Sequence, residues 1–124
     1  MRLTVLFLTL FLSLQASGWQ EDFAAAKALA QEENKPMLVL FMRPNCPFCT
    51  RLENETLTHP AIQKRIEEGF VPVWIDTQSN PRQVQASGLS VRGVPTAVIV
   101  QNGKEQARMV GFRDPMGMMG FLSR

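Results

Sequence analysis

Apolar and polar positions change period several times along the chain, and each change marks an element. Trp19, Phe23, Ala26 and Ala30 recur at spacings of four, three and four, which lays one apolar stripe along a helix predicted from about Gln20 to Glu33. Asn34, Lys35 and Pro36 end it. The run Met37 to Met42, MLVLFM, shows no alternation. Six apolar residues bounded by prolines on either side read as a strand covered on both faces, not as a helix. Asn45 is expected to cap the next helix, whose first turn holds Cys46, Pro47 and Phe48 and which runs past Leu52. Thr58, His59 and Pro60 start another, carried by Ile62 and Ile66 until Gly69. Phe70 to Ile75, FVPVWI, is the second strand, and Pro72 assigns it to a sheet edge because proline lacks a ladder donor. Asn80 and Pro81 open a short helix to about Ala86, closed by Gly88. Thr96 to Val100 and Glu105 to Val110 form a hairpin across Asn102-Gly103, a pair suited to positive backbone angles. Asp114 and Pro115 begin a terminal helix that carries Met118, Met119 and Leu122.

Helices and strands therefore alternate, which predicts an α/β fold with a central four-stranded mixed sheet flanked by helices. The expected strand order is 70–75, 37–42, 96–100, 105–110. The 124 residues, 45% of them hydrophobic, suit one core and exclude two domains and disorder alike. A formal charge of +2, scattered along the chain, gives no footprint for nucleic acid.

The N-terminus reads separately. Arg2 is followed by an apolar run from Leu3 to Leu14 and then by Ala16, Ser17 and Gly18, the layout of a secretory signal peptide over residues 1–18. An uncleaved membrane anchor is the alternative, and the run is short of the roughly 20 apolar residues a span requires. Residues 19–124 then form the working domain, in a compartment where disulfides persist.

Only two cysteines are present, Cys46 and Cys49. At a helix start they can close a disulfide within one turn, and the first lies where free amides and the helix dipole favour a thiolate. Cys46 is thus the candidate nucleophile and Cys49 the shielded resolving thiol. A static bridge is the bland reading, yet closing so short a loop gains little entropy. A metal site using His59, or copper bound through Met116, Met118 and Met119, lacks the remaining ligands or has a simpler explanation in core packing. Redox chemistry of this kind needs no prosthetic group. Arg43 is a candidate for favouring the Cys46 thiolate, and Phe48 and Trp74 for an apolar partner-binding patch.

The CPFC pair after a buried strand, the segment Gly93-Val94-Pro95-Thr96 and the Asn-Gly hairpin behind it together resemble the thioredoxin superfamily, over about Phe23 to Phe112. The stretches KPMLVLFMRPNCPFC, NETLTHP and FVPVWID are most similar to exported thioredoxin-like proteins of bacteria. The resemblance implies a thioredoxin fold and a cis peptide bond before Pro95. It also implies that Val94, Pro95 and Thr96, with Phe48, bind an extended substrate beside the cysteines. Two departures stand out. The spacer is Pro-Phe after Asn45, so the reducing poise of thioredoxin itself is not implied. The family's buried acid falls at Leu40 and its partner lysine near Pro72, which leaves water, Glu53 or His59 to accept the proton of Cys49.

The reading of this sequence is an exported, periplasmic thiol:disulfide oxidoreductase, a reductase of protein disulfides supplied by a membrane or soluble electron donor and acting as a monomer. The alternative is a non-catalytic binding module with a structural disulfide.

Overall fold

The computed structural model describes residues 18–123. The expected leader, all but Gly18, lies outside the described residues. In chain order the elements are α1 (Phe23–Glu33), β1 (Met37–Met42), α2 (Pro47–Arg51) continuing into a π-helical turn (Leu52–Thr56), α3 (Pro60–Gly69), β2 (Val71–Asp76), α4 (Pro81–Ser87), β3 (Thr96–Gln101), β4 (Lys104–Val110) and α5 (Pro115–Leu122). The strands lie in the order β2-β1-β3-β4. β1 and β2 are parallel, and the other two pairs are antiparallel. This is the thioredoxin-like arrangement of four strands and five α-helices.

The two-residue period of a strand explains why β1 is apolar throughout. Met37, Val39 and Phe41 pack with Phe23, Ala26 and Ala30 of α1. Leu38, Leu40 and Met42 pack on the other face with Leu52, Ile62, Ile66, Met118 and Leu122. A central strand covered on both sides needs apolar residues at both parities. β2 alternates instead, with Val71, Val73 and Ile75 buried and the residues between them half-buried, as its place at the edge predicts. Pro72 offers its carbonyl to Gln20 on the outer side, at 2.8 Å. Its missing amide therefore falls where β1 makes no bond.

Several boundaries differ from expectation for local reasons. α1 begins at Phe23, because the Asp22 side chain accepts from the Ala25 amide at 2.8 Å and caps the helix there. Trp19 is outside the helix and not part of its stripe. Gln20 bridges to Val73, and Trp19 stands edge-on to Trp74, ring centroids 5.5 Å apart. β2 starts one residue late, since the Phe70 amide still bonds to Ile66 of α3. Asn102 (φ 53°) and Gly103 (φ 74°) form the expected turn, from Gln101 to Lys104. Past that turn the pairing passes from Glu105 to Ala107 opposite adjacent residues of β3, so Gln106 is an extra residue, a bulge in β4.

Candidate functional site

The end of β1 delivers the chain to the cysteines through a turn. Asn45 adopts φ 54°, the left-handed region that asparagine tolerates better than most residues. That geometry excludes it from the extended conformation a cap requires, and the expected Asn45 cap is corrected on this ground. Cys46 itself takes the position, with φ −116° and ψ 104°. Its Sγ accepts from the Cys49 amide at 3.2 Å. Pro47 follows in the first turn, where its lost amide had no intrahelical partner to miss. Cys46 and Cys49 are joined as a disulfide, with Cα atoms 5.2 Å apart.

Both cysteines are nearly covered, Cys46 at 6% exposure and Cys49 at 3%. Phe48 between them is 59% exposed, standing beside the pair as the sequence reading places it. The loop before β3 closes the other side. The Val94–Pro95 peptide bond is cis, and the Val94 carbonyl oxygen lies 3.9 Å from Cys46 Sγ. Thr96 is buried, and its hydroxyl donates to the Gly93 carbonyl at 2.7 Å. The Gly111 amide donates to the Pro95 carbonyl at 2.8 Å. Cys46 thus meets Val94 at the surface beside exposed Phe48, while Cys49 and Pro95 are buried behind them. Thr96 lies under that surface and secures the loop from within.

Beneath the pair the surroundings are apolar. Leu40, fully buried, belongs to the same cluster as both cysteines, and none of the other members titrates. Glu53 is exposed. His59 caps α3, its Nδ1 accepting from the Ala61 amide at 3.3 Å. Arg43 is exposed. Arg51, at the end of α2, bonds Glu55 at 2.8 Å and lies over the Phe112 ring, 4.1 Å from its centroid, which ties α2 to the segment before α5. Trp74 is half-buried on β2, its ring edge-on to Trp19 at 5.5 Å.

The three methionines of the copper alternative diverge. Met118 is buried in the core and Met119 half-buried, while Met116 is exposed. Among the described residues no three His, Cys, Asp or Glu side chains gather into a metal cluster. A cleft of about 400 Å³ lies at the other end of β1 between α1, α4 and the β3–β4 turn, lined by Met37, Lys27 and Asn102 among others.

Sequence reasoning missed Thr56. It sits fully buried in the π-helical turn, and its hydroxyl donates to the Arg113 carbonyl at 2.5 Å. The sequence offers no signal for it, since Thr56 is one of four polar residues between Leu52 and Leu57, and only the fold shows which of them is buried and so demands a partner.

A disulfide-bonded cysteine pair at a helix start, faced by a cis-proline loop at the end of a four-stranded sheet, is the arrangement of a thioredoxin-like domain. Residues 23–123 match the thioredoxin-like domain, and the chain belongs to that family. It is 32% identical over 92 residues to the thiol:disulfide interchange protein DsbD of Salmonella paratyphi A, an alignment covering 71% of this chain and 16% of that relative. Among solved structures, a thioredoxin from Thermus thermophilus superposes with TM-score 0.74 at 26% identity, over 86% of this chain and 85% of that one. A disulphide isomerase from Xylella fastidiosa gives 0.67 at 25% identity, over 81% and 85%. The C-terminal domain of Neisseria meningitidis DsbD in its reduced form shares the fold, with TM-score 0.67 at 19% identity over 81% and 90%.

Proposed function

We propose that this protein is an exported thiol:disulfide oxidoreductase that reduces protein disulfides. The observation that carries the reading is Cys46 at the start of α2, its sulfur 3.2 Å from an amide and 3.9 Å from the Val94 carbonyl. In the reduced protein the same amide and the helix dipole favour a Cys46 thiolate. That thiolate attacks one sulfur of a partner disulfide, forming a mixed disulfide and expelling the other sulfur as a thiolate, which takes up a proton. Cys49 then loses its proton and attacks Cys46 Sγ, releasing the second partner thiol and leaving the Cys46–Cys49 disulfide. The partner gains two electrons and this chain loses two. A donor dithiol, on a membrane or soluble protein, returns them by the same exchange in reverse.

Val94 offers backbone to an extended partner segment, Pro95 fixes that backbone through its cis bond and its carbonyl bond to Gly111, and Phe48 offers an apolar contact beside the nucleophile. Exchange with protein thiols and disulfides is supported by the likeness to a thiol:disulfide interchange protein, and the reductive direction is what the test below decides. Export to the periplasm is supported by the apolar run from Leu3 to Leu14 behind Arg2. The exchange itself requires one copy of the chain.

The test is the redox state of the pair in intact cells, quenched with acid and alkylated at free thiols. A mainly reduced pair in an exported protein is the expected result and requires a dedicated donor. A wholly oxidised pair with a reduction potential below about −300 mV would overturn the reading in favour of a structural bridge. In parallel, Cys49→Ala is expected to accumulate mixed disulfides that the double variant with Cys46→Ala loses.

A further inference from the structure

The segment from Leu89 to Pro95 has no helix or strand ladder of its own, yet it presents Val94 to Cys46. Leu89, Val91 and Val94 pack loosely against the core. The Gly111 amide holds its far end at Pro95. Upstream of Gly93, it is tied to a distant part of the chain by β4: Arg108 Nη1 donates to the Ser90 carbonyl at 2.6 Å. The guanidinium is itself fixed by a fork on Glu105, Nε to Oε2 at 3.1 Å and Nη2 to Oε1 at 2.6 Å.

Residues three apart on a regular strand point to opposite faces. The bulge at Gln106 adds one residue between Glu105 and Arg108 and so turns both to the same face. That is the face toward which Val98, opposite Arg108, is directed, and it is where the loop packs. The irregularity in β4 therefore assembles the strap. Beside it an open groove of about 640 Å³ is lined by Leu89, Arg92, Gly93, Thr96, Arg108 and Val110. Its lining takes in Gly93 and Thr96, the residues on either side of Val94 and Pro95.

We propose that Arg108 is a positioning residue: locked by Glu105 across the β4 bulge, it holds the Ser90 carbonyl and sets the Leu89–Pro95 segment on which an extended partner chain lies. The inference rests on the reductase reading above. An exposed ion pair contributes little to global stability, so the strap acts on the loop and leaves the fold to the core.

The experiment compares Arg108→Gln, Arg108→Lys and Glu105→Gln with the parent on two substrates, a disulfide-bonded protein and a small aromatic disulfide that has no chain to lie along Val94. For Arg108→Gln the KM for the protein disulfide is expected to rise roughly five- to tenfold with kcat within about twofold, the signature of lost binding. The rate on the small disulfide is expected to stay within about twofold, and the melting temperature is expected to hold. Arg108→Lys, which keeps the charge without the fork, should recover part of the KM. An unchanged KM overturns the proposal. A parallel loss on both substrates with a lowered melting temperature also overturns it, since that is a merely structural role. Failure of the parent chain to reduce either substrate would instead refute the reductase reading, and the strap's role with it.

Discussion

The sulfur of Cys46 lies 3.9 Å from the carbonyl oxygen of Val94, a residue 48 positions further along the chain. The antiparallel pairing of β1 with β3 produces this meeting, because Phe41 stands opposite Thr96. The loop leaving β1 and the loop entering β3 must then emerge side by side. A partner sulfur approaching Cys46 meets the backbone of Val94 at the same moment. In the proposed reaction, attack and recognition are fixed by one strand register.

The underside of the pair makes a kinetic prediction. Cys49 is surrounded by apolar side chains, with Leu40 in place of an acid, and such surroundings favour the neutral thiol. With no acid or base in that described cluster, resolution of the mixed disulfide is expected to accelerate about tenfold per pH unit through neutrality, as the thiolate fraction grows. Stopped-flow measurement of product release between about pH 6 and pH 9 checks it. A flat profile would mean that a group on the protein, with Glu53 and His59 the first to replace, is taking the proton.

Phe48 offers a test that separates binding from folding. It is 59% exposed, so Phe48→Glu should change stability by no more than about 0.5 kcal/mol. The same change is expected to weaken reduction of a protein disulfide several-fold while Cys46 still alkylates at the parent rate. If activity survived Cys46→Ser and vanished only in Phe48→Glu, the chain would be a binding module and not a reductase.

Thr56 should carry structural weight out of proportion to its size. Replacing it with Val keeps the volume and strips the Arg113 carbonyl of its 2.5 Å donor. A loss of about 1–3 kcal/mol in urea unfolding is expected. A change near zero would show that the carbonyl finds water instead.

Acid should loosen the strap before it unfolds the protein. The hydrogen bond from Arg108 holds the Glu105 carboxyl below the usual carboxylate range, with the nearby positive charge adding to it and burial opposing. A depressed carboxyl contributes stability that is present above its unfolded-state value and is lost as the pH falls through the folded one. The pair is partly exposed, so the effect is small and local. Amide exchange at Val91 to Val94 is expected to quicken at the acid end of the carboxylate range in the parent and to be pH-insensitive there, beyond the intrinsic exchange rate, in Glu105→Gln.

Much of this was legible in the sequence where one signal dominated. The unbroken apolar run of β1, the proline in β2 and the Asn-Gly turn each admitted one arrangement, and together they determined the strand order. The CPFC and GVPT segments marked the cysteines and the loop that faces them. What escaped depended on contacts between distant residues. Asn45 has the chemistry of a cap, but the turn out of β1 required its left-handed conformation and passed the cap to Cys46. Trp19 continued the helical stripe on paper, but Asp22 started the helix later and Gln20 bonded to the sheet. The bulge at Gln106 has no local signature, since alternation in β4 is masked by its exposed, polar residues.

The bridge made by Gln20 has a consequence for molecules crowded together. Its amide and carbonyl take up the Pro72 carbonyl and the Trp74 amide, each at 2.8 Å, on the rim of β2 that would otherwise template a foreign strand. The opposite rim, β4, is interrupted by its bulge and carries Lys104, Glu105 and Arg108, and both features discourage edge-to-edge addition. Among the described residues, neither margin of the sheet is a clean seed for aggregation, so crowded copies are expected to stay apart even though both edges are formally unpaired strands.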